Sequence, residues 1–139
     1  MFDAFCRYTL VPLLLRAGLA EVFIYHGLDL VSKQGGTAWN EELPVPTQVA
    51  VAWGQLIGGI ALAVGFLTRL AALGIAIIMG GAIATVHWPH GFSIQDHGYE
   101  YNFVLIVICV AVMLLGPGNF AVDRVFRLRR RTARQPGVT

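Results

Sequence analysis

Residues 49–68, VAVAWGQLIGGIALAVGFLT, are twenty residues without a charge. A helix of that length crosses the hydrocarbon core of a bilayer. Arg69 interrupts, and residues 70–86, LAALGIAIIMGGAIATV, form a second uncharged run that closes at His87, Trp88 and Pro89. With so little chain between them, the two runs predict a tight helical hairpin. One long buried helix is the competing reading, and the central charge and closing proline count against it.

Working outward, residues 103–116 (FVLIVICVAVMLLG) give fourteen apolar residues, short for a span alone. Tyr99, Glu100, Tyr101 and Asn102 extend the run to spanning length, and tyrosine favours the membrane boundary. Pro117 and Gly118 then end it. Residues 8–30 (YTLVPLLLRAGLAEVFIYHGLDL) carry Arg16, Glu21, His26 and Asp29 among mostly apolar neighbours. These few ionisable groups can face protein, so this stretch reads as the first span. A cleaved secretory signal is excluded, because its core is uncharged.

Composition agrees. The chain has 139 residues, 56% hydrophobic and 13% charged, with a mean hydropathy of +0.65. Soluble domains carry about 25% charged residues, so a water-soluble globule is disfavoured and disorder is excluded. Cys6 and Cys109 fall at different depths and form no Cys-x-x-Cys, so neither a disulfide scaffold nor thiol–disulfide chemistry is expected. The expectation is an all-α integral membrane four-helix bundle over residues 1–123. Its spans lie at about 8–31, 48–67, 70–88 and 99–116, and a basic tail covers 124–139. Glycines and alanines crowd the hairpin (Gly54, Gly58, Gly59, Gly74, Gly80, Gly81), where close approach replaces the hydrophobic effect in lipid.

Nine of the ten basic residues are arginines, and six of them (Arg124, Arg127, Arg129, Arg130, Arg131, Arg134) lie in the tail. Arg7 precedes the first span and Arg69 sits in the hairpin. With four spans these three regions share one face, which the positive-inside rule makes cytoplasmic, both termini included. The tail is expected to touch anionic lipid headgroups rather than nucleic acid.

A charge at the bilayer centre costs on the order of 3 kcal/mol, which makes intramembrane polar groups candidates for function. Placed by depth, Glu21, His26, Asp29, Gln55, His87, Glu100, Tyr101 and Asn102 converge on the outer half of the membrane. Three readings compete. The first is a hydrogen-bonded network that fixes helix register, with Glu21 held by Gln55 or Asn102. The second is a pocket for a quinone: its carbonyls need His, Gln or Tyr donors, its protons a carboxylate, and its ring an aromatic wall. The third, a metal site of His26, His87, Glu100 and His90 or His97, has no supporting spacing and ranks last. Arg16 is expected to snorkel toward the cytoplasmic headgroups or pair with Asp123, and Arg16, Arg69 and Asp123 are read as structural.

The chain resembles the DoxX family of small four-helix bacterial membrane proteins. The resemblance rests on Arg16, the run from Gly58 to Arg69 (GGIALAVGFLTR), the loop His87-Trp88-Pro89-His90-Gly91-Phe92, Glu100, and Leu114-Leu115-Gly116-Pro117-Gly118 followed by Asp123. It covers roughly residues 10 to 125. Members often carry glutamate where Gln55 stands, so any proton-transfer role of that carboxylate is absent here or moved to Glu21 or Glu100. The resemblance implies a bacterial inner-membrane bundle, sometimes associated with quinone-linked oxidoreductases or partner enzymes. The resulting expectation is a membrane subunit of a quinone-linked or other redox system. The alternative is a non-catalytic scaffold within a homo-oligomer or a larger complex.

Overall fold

The computed structural model describes residues 2–125. The tail arginines Arg127, Arg129, Arg130, Arg131 and Arg134 lie outside the described residues. Among those described, every regular element is helical. Three helices are long and apolar enough to cross a membrane: α1 (Phe2–Ser32), α2 (Val45–Val64) and α3 (Thr68–His90). A fourth, α4 (Glu100–Leu115), is apolar but shorter.

Proline shapes the entry of α1. Pro12 has no N–H to offer the carbonyl four residues back. Asn119 takes that place, donating its N–H to the Tyr8 carbonyl at 3.1 Å, while the Asn119 side chain donates to Thr9 Oγ1 at 2.6 Å. The preceding turn, Cys6–Leu10, widens into π geometry. The helix thus begins at Phe2, earlier than the hydropathy of residues 8–30 suggests.

The hairpin between α2 and α3 is short because its backbone turns left-handed twice, at Gly65 (φ 71°) and at Leu67 (φ 46°). Gly65 ends α2 in the manner of a helix C-cap, and the Phe66 N–H returns to the Ala61 carbonyl at 2.9 Å. No side chain fits at Gly65: an added Cβ would stand 2.6 Å from both Ala121 Cβ and Arg16 Nη2.

α1 packs most extensively on α2 and α4 on α3, with α2 against α3 and a lighter α1–α4 contact closing the ring. The α1–α2 seam is tightest. A Cβ on Gly27 would lie 2.5 Å from the Leu56 backbone nitrogen, and one on Gly59 2.8 Å from that of Ile24. Gly54 and Gly58 instead meet the flexible ends of Ile78 and Ile75, and Gly74, Gly80 and Gly81 face open space. Between the helices lies a core of Leu19, Phe23, Leu62, Ala72, Ile75, Leu105, Cys109 and Val112.

Candidate functional site

The bundle has two ends of different character. At the hairpin end, Arg16 is 1% exposed. Its Nε donates to the Leu62 carbonyl (2.9 Å) and Nη2 to Ala63 (3.0 Å), while Nη1 donates to Pro117 (2.7 Å) and Phe120 (2.8 Å). The first two carbonyls belong to the last turn of α2, and the other two to the turns after α4. Helix C-termini leave such carbonyls without intrahelical partners, and a guanidinium carries enough donors to serve four of them at once. Snorkelling and pairing with Asp123 are both replaced by this arrangement. The reason is that two helix ends with spare carbonyls converge on Arg16 at its own depth.

Asp123 does the complementary task at the start of α3. Its Oδ1 accepts from the Leu67 N–H (2.7 Å), and its Oδ2 accepts from the Thr68 N–H and Oγ1 (both 2.9 Å). A carboxylate satisfies the orphan donors and the positive end of the helix dipole together. Arg69 is exposed and lies beside Gly116 at the end of α4. Asn119 also accepts from the Arg124 guanidinium.

At the opposite end, a cavity of about 340 Å³ opens between α1, α2, α3 and α4. His26, Gln55, His87, Tyr101 and Asn102 line it, joined by His97 and by Phe23, Met79 and Leu105 from the core. Local backbone brings His87 there: α3 leaves α geometry at Ile83–His87 for a π turn, then tightens into a 3₁₀ turn at Trp88–His90. Such π insertions rotate the following side chains and recur at functional sites. The loop after α3 folds back over the cavity. Trp88 stacks on Tyr99 with ring centroids 5.7 Å apart, and Phe92 meets Tyr99 edge-on at 5.5 Å. Gly98 is required in this cover, since a Cβ there would approach the Gly91 carbonyl oxygen to 2.2 Å.

His87 Nδ1 lies 2.8 Å from the His97 carbonyl oxygen. A carbonyl only accepts, so Nδ1 carries the proton and donates, and in the neutral ring Nε2 is the free acceptor. Asn102 Nδ2 donates to the Met79 thioether at 3.4 Å, a weak acceptor. Gln55, 7% exposed, makes no side-chain hydrogen bond to protein among the described residues.

That contrast is informative across the molecule. The buried polar side chains are Thr9, Arg16, Gln48, Gln55, Thr68 and Asn102. Thr9, Arg16 and Thr68 are partnered as described. Gln48 Oε1 accepts from the Trp39 and Asn40 N–H groups and its Nε2 donates to the Leu43 carbonyl, which shapes the α1–α2 loop. Among the described residues only Gln55 and Asn102 lack a strong protein partner, and both line the cavity. Among the described residues no fully buried side-chain nitrogen or oxygen lacks a partner, so the free atoms of these two amides open onto the cavity, where water or a ligand can complete them.

Three expected members stand apart. Glu21 is exposed on α1 and does not line the cavity, so the network with Gln55 or Asn102 does not form. Asp29 is exposed and pairs with Lys33 one turn on, at 2.8 Å. Glu100 braces the cover, accepting from the Ile94 N–H through Oε2 at 3.1 Å. Among the described residues, no three His, Cys, Asp or Glu side chains are grouped to hold a metal ion. His97, which the sequence offers only as a candidate metal ligand, lines the cavity, and sequence reasoning passes over Gln48, whose clue is a lone amide at the start of an apolar helix.

Residues 11–88 match the family model described as DoxX. A protein of Haemophilus influenzae named "Uncharacterized protein" is 29% identical over 127 residues, which covers 83% of this chain and 82% of that one. A Bacillus subtilis protein named "Putative oxidoreductase CatD" is 29% identical over 119 residues, covering 84% of this chain and 87% of that one. No solved structure matches the chain. The matched span takes in Arg16, the α2–α3 hairpin, Gln55 and His87, and the chain belongs to the DoxX family.

Proposed function

We propose that this DoxX-family membrane protein is a subunit of a quinone-linked redox system and binds a quinone ring in the cavity beside Gln55 and His87. The observation that carries the reading is the pair of under-partnered amides, Gln55 and Asn102, in the same hollow as His26, His87, His97 and Tyr101. About 340 Å³ falls within the roughly 300–1,000 Å³ of small-molecule pockets. The donor set suits a ring with two opposed carbonyls: Gln55 and Tyr101 offer N–H and O–H donors, and Phe23 and Leu105 offer apolar surface. A bound quinone supplies coupled electron and proton chemistry. The protein's part is to orient the ring through Gln55 and Asn102 and to exchange a proton at His87 Nε2, with Nδ1 anchored on the His97 carbonyl. The relative named as an oxidoreductase gives the redox reading independent, if distant, support.

The same reading takes the chain as a four-span protein of the bacterial inner membrane, with the hairpin end and both termini cytoplasmic and the cavity toward the outside. Its support is the placement of Arg69 at the hairpin end, with Glu41, Glu42 and Asp96 in the loops at the other. A membrane-impermeant thiol reagent should label Cys6 only after the cytoplasmic side is opened, whereas Gln34→Cys should label in intact cells. Labelling of both from one side contradicts this orientation.

The binding reading is tested by solvent extraction of protein purified in mild detergent. Wild type should release quinone and Gln55→Leu much less. Extracts of wild type without quinone, from quinone-containing membranes, overturn it.

A further inference from the structure

Gln55 and His87 form a shared wall. Together with Ala82 they line the polar cavity and also a second hollow of about 390 Å³ between α2 and α3. The second hollow is greasy. Val51, Ile77, Ile78 and Val86 supply aliphatic surface and Trp39 an indole. Two of its polar side chains are already engaged: Thr85 Oγ1 donates back to the Gly81 carbonyl at 2.8 Å, and Asn40 Oδ1 accepts from the Glu42 N–H at 2.9 Å. Gly81 makes the room, since an added Cβ there would meet nothing within 4 Å.

We propose that the two hollows form one bipartite site. The polar ring sits in the cavity, and its single alkyl tail passes between Gln55 and His87 to lie in the cleft between α2 and α3. This rests on the quinone reading above and adds the tail, its path and the residues that set it. Three observations point to this occupant. The hollows share the residues at their junction; one is lined by several polar side chains and the other mostly by apolar ones; and the cleft extends about two turns along the antiparallel α2 and α3, between the level of Thr47 and His87 and that of Gln55 and Ile77. A molecule with a polar ring and one long chain matches that sequence of surfaces. Lipid tails are as apolar as the cleft, so the affinity it adds comes from holding the tail on the path that brings the ring to Gln55, and is lost when that path is blocked. Its effect is to set the orientation in which the ring arrives at Gln55.

The test measures binding of two probes, a decyl-tailed benzoquinone and the same ring with methyl in place of the tail, to protein in lipid nanodiscs. Gly81→Phe fills the cleft without touching the cavity. Gly74→Phe, two turns earlier on α3 and also facing open space, lines a different groove and serves as control. Gly81→Phe should weaken the tailed probe by about tenfold or more, the effect of overpacking a bound group. It should leave the tail-less ring unchanged, and Gly74→Phe should alter neither. If Gly81→Phe leaves the tailed probe unchanged, the tail runs in the bilayer or a phospholipid chain fills the cleft. The bipartite site then fails while the ring pocket stands. Equal loss of both probes also overturns it. If wild type binds neither probe, the quinone reading fails and takes this inference with it.

Discussion

The hairpin end and the cavity end are built from the same materials, polar side chains buried among apolar helices, and they differ in how those side chains are satisfied. At the hairpin end, Arg16 meets four carbonyls and Asp123 meets two N–H groups and a hydroxyl, so the fold itself supplies the partners of both. At the cavity end, Gln55 and Asn102 are buried beside empty volume with little or no strong protein partnership. A polar group whose partners are all supplied by the fold stabilises the fold. One whose partners are missing lowers stability unless a ligand completes it, and binding sites commonly carry that cost. On the proposed reading, this difference separates the residues that hold the fold from those offered to a ligand.

The sharpest way to break this contrast is Arg16→Met. It leaves the carbonyls of Leu62, Ala63, Pro117 and Phe120 without their donors, and each orphaned buried group costs about 1–3 kcal/mol. The variant should fail to give folded protein or melt far below wild type in detergent. A wild-type melting curve would show that the hairpin end does not hold the bundle together.

Next in size are the cavity variants, for which the expected loss is of binding rather than folding. His87→Ala and Gln55→Leu should lower quinone retention by about tenfold, the effect of removing one hydrogen bond to a bound group. Their melting temperatures should stay near wild type, and Gln55→Leu should match or exceed it because an unpaired amide is removed. Destabilisation comparable to Arg16→Met would place the cavity residues among the structural ones.

Asp123→Ala removes the cap of α3 and should cost about 1–2 kcal/mol, the usual loss for a capping side chain, read as a lower melting temperature with quinone retention intact. The smallest effect belongs to Asp29→Asn. Its ion pair with Lys33 is exposed, and such pairs contribute about 0–1 kcal/mol. Neither melting nor binding should change measurably, and a lost ligand would return Asp29 to the site.

The sequence made the helices and the hairpin legible, because uncharged runs, Arg69 and the glycines are local signals. Depth is legible too: the sequence puts His26, Gln55, His87, Tyr101 and Asn102 at one level, and all five line the cavity. Direction around the helix axis was harder to read. Glu21 and His26 share a helix, but five residues rotate it by about 500°, so when His26 borders the cavity Glu21 faces elsewhere. Arg16 illustrates a different barrier. Its role depends on the ends of α2 and α4 meeting at its depth, a tertiary coincidence that no window of sequence contains. The π turn at Ile83–His87 is hidden for the same reason, since irregular backbone carries no period.

The central claim, that the cavity end is a ligand site held open by a self-sufficient hairpin end, is tested most directly by the melting temperature of wild type and Gln55→Leu with and without quinone. A ligand at a hundred times its dissociation constant stabilises the folded state by about 2.7 kcal/mol. Wild type should therefore melt at a clearly higher temperature when quinone is present. Gln55→Leu should start at or above the ligand-free wild-type value and show little rise. An equal rise in both proteins, or none in wild type, would contradict the account.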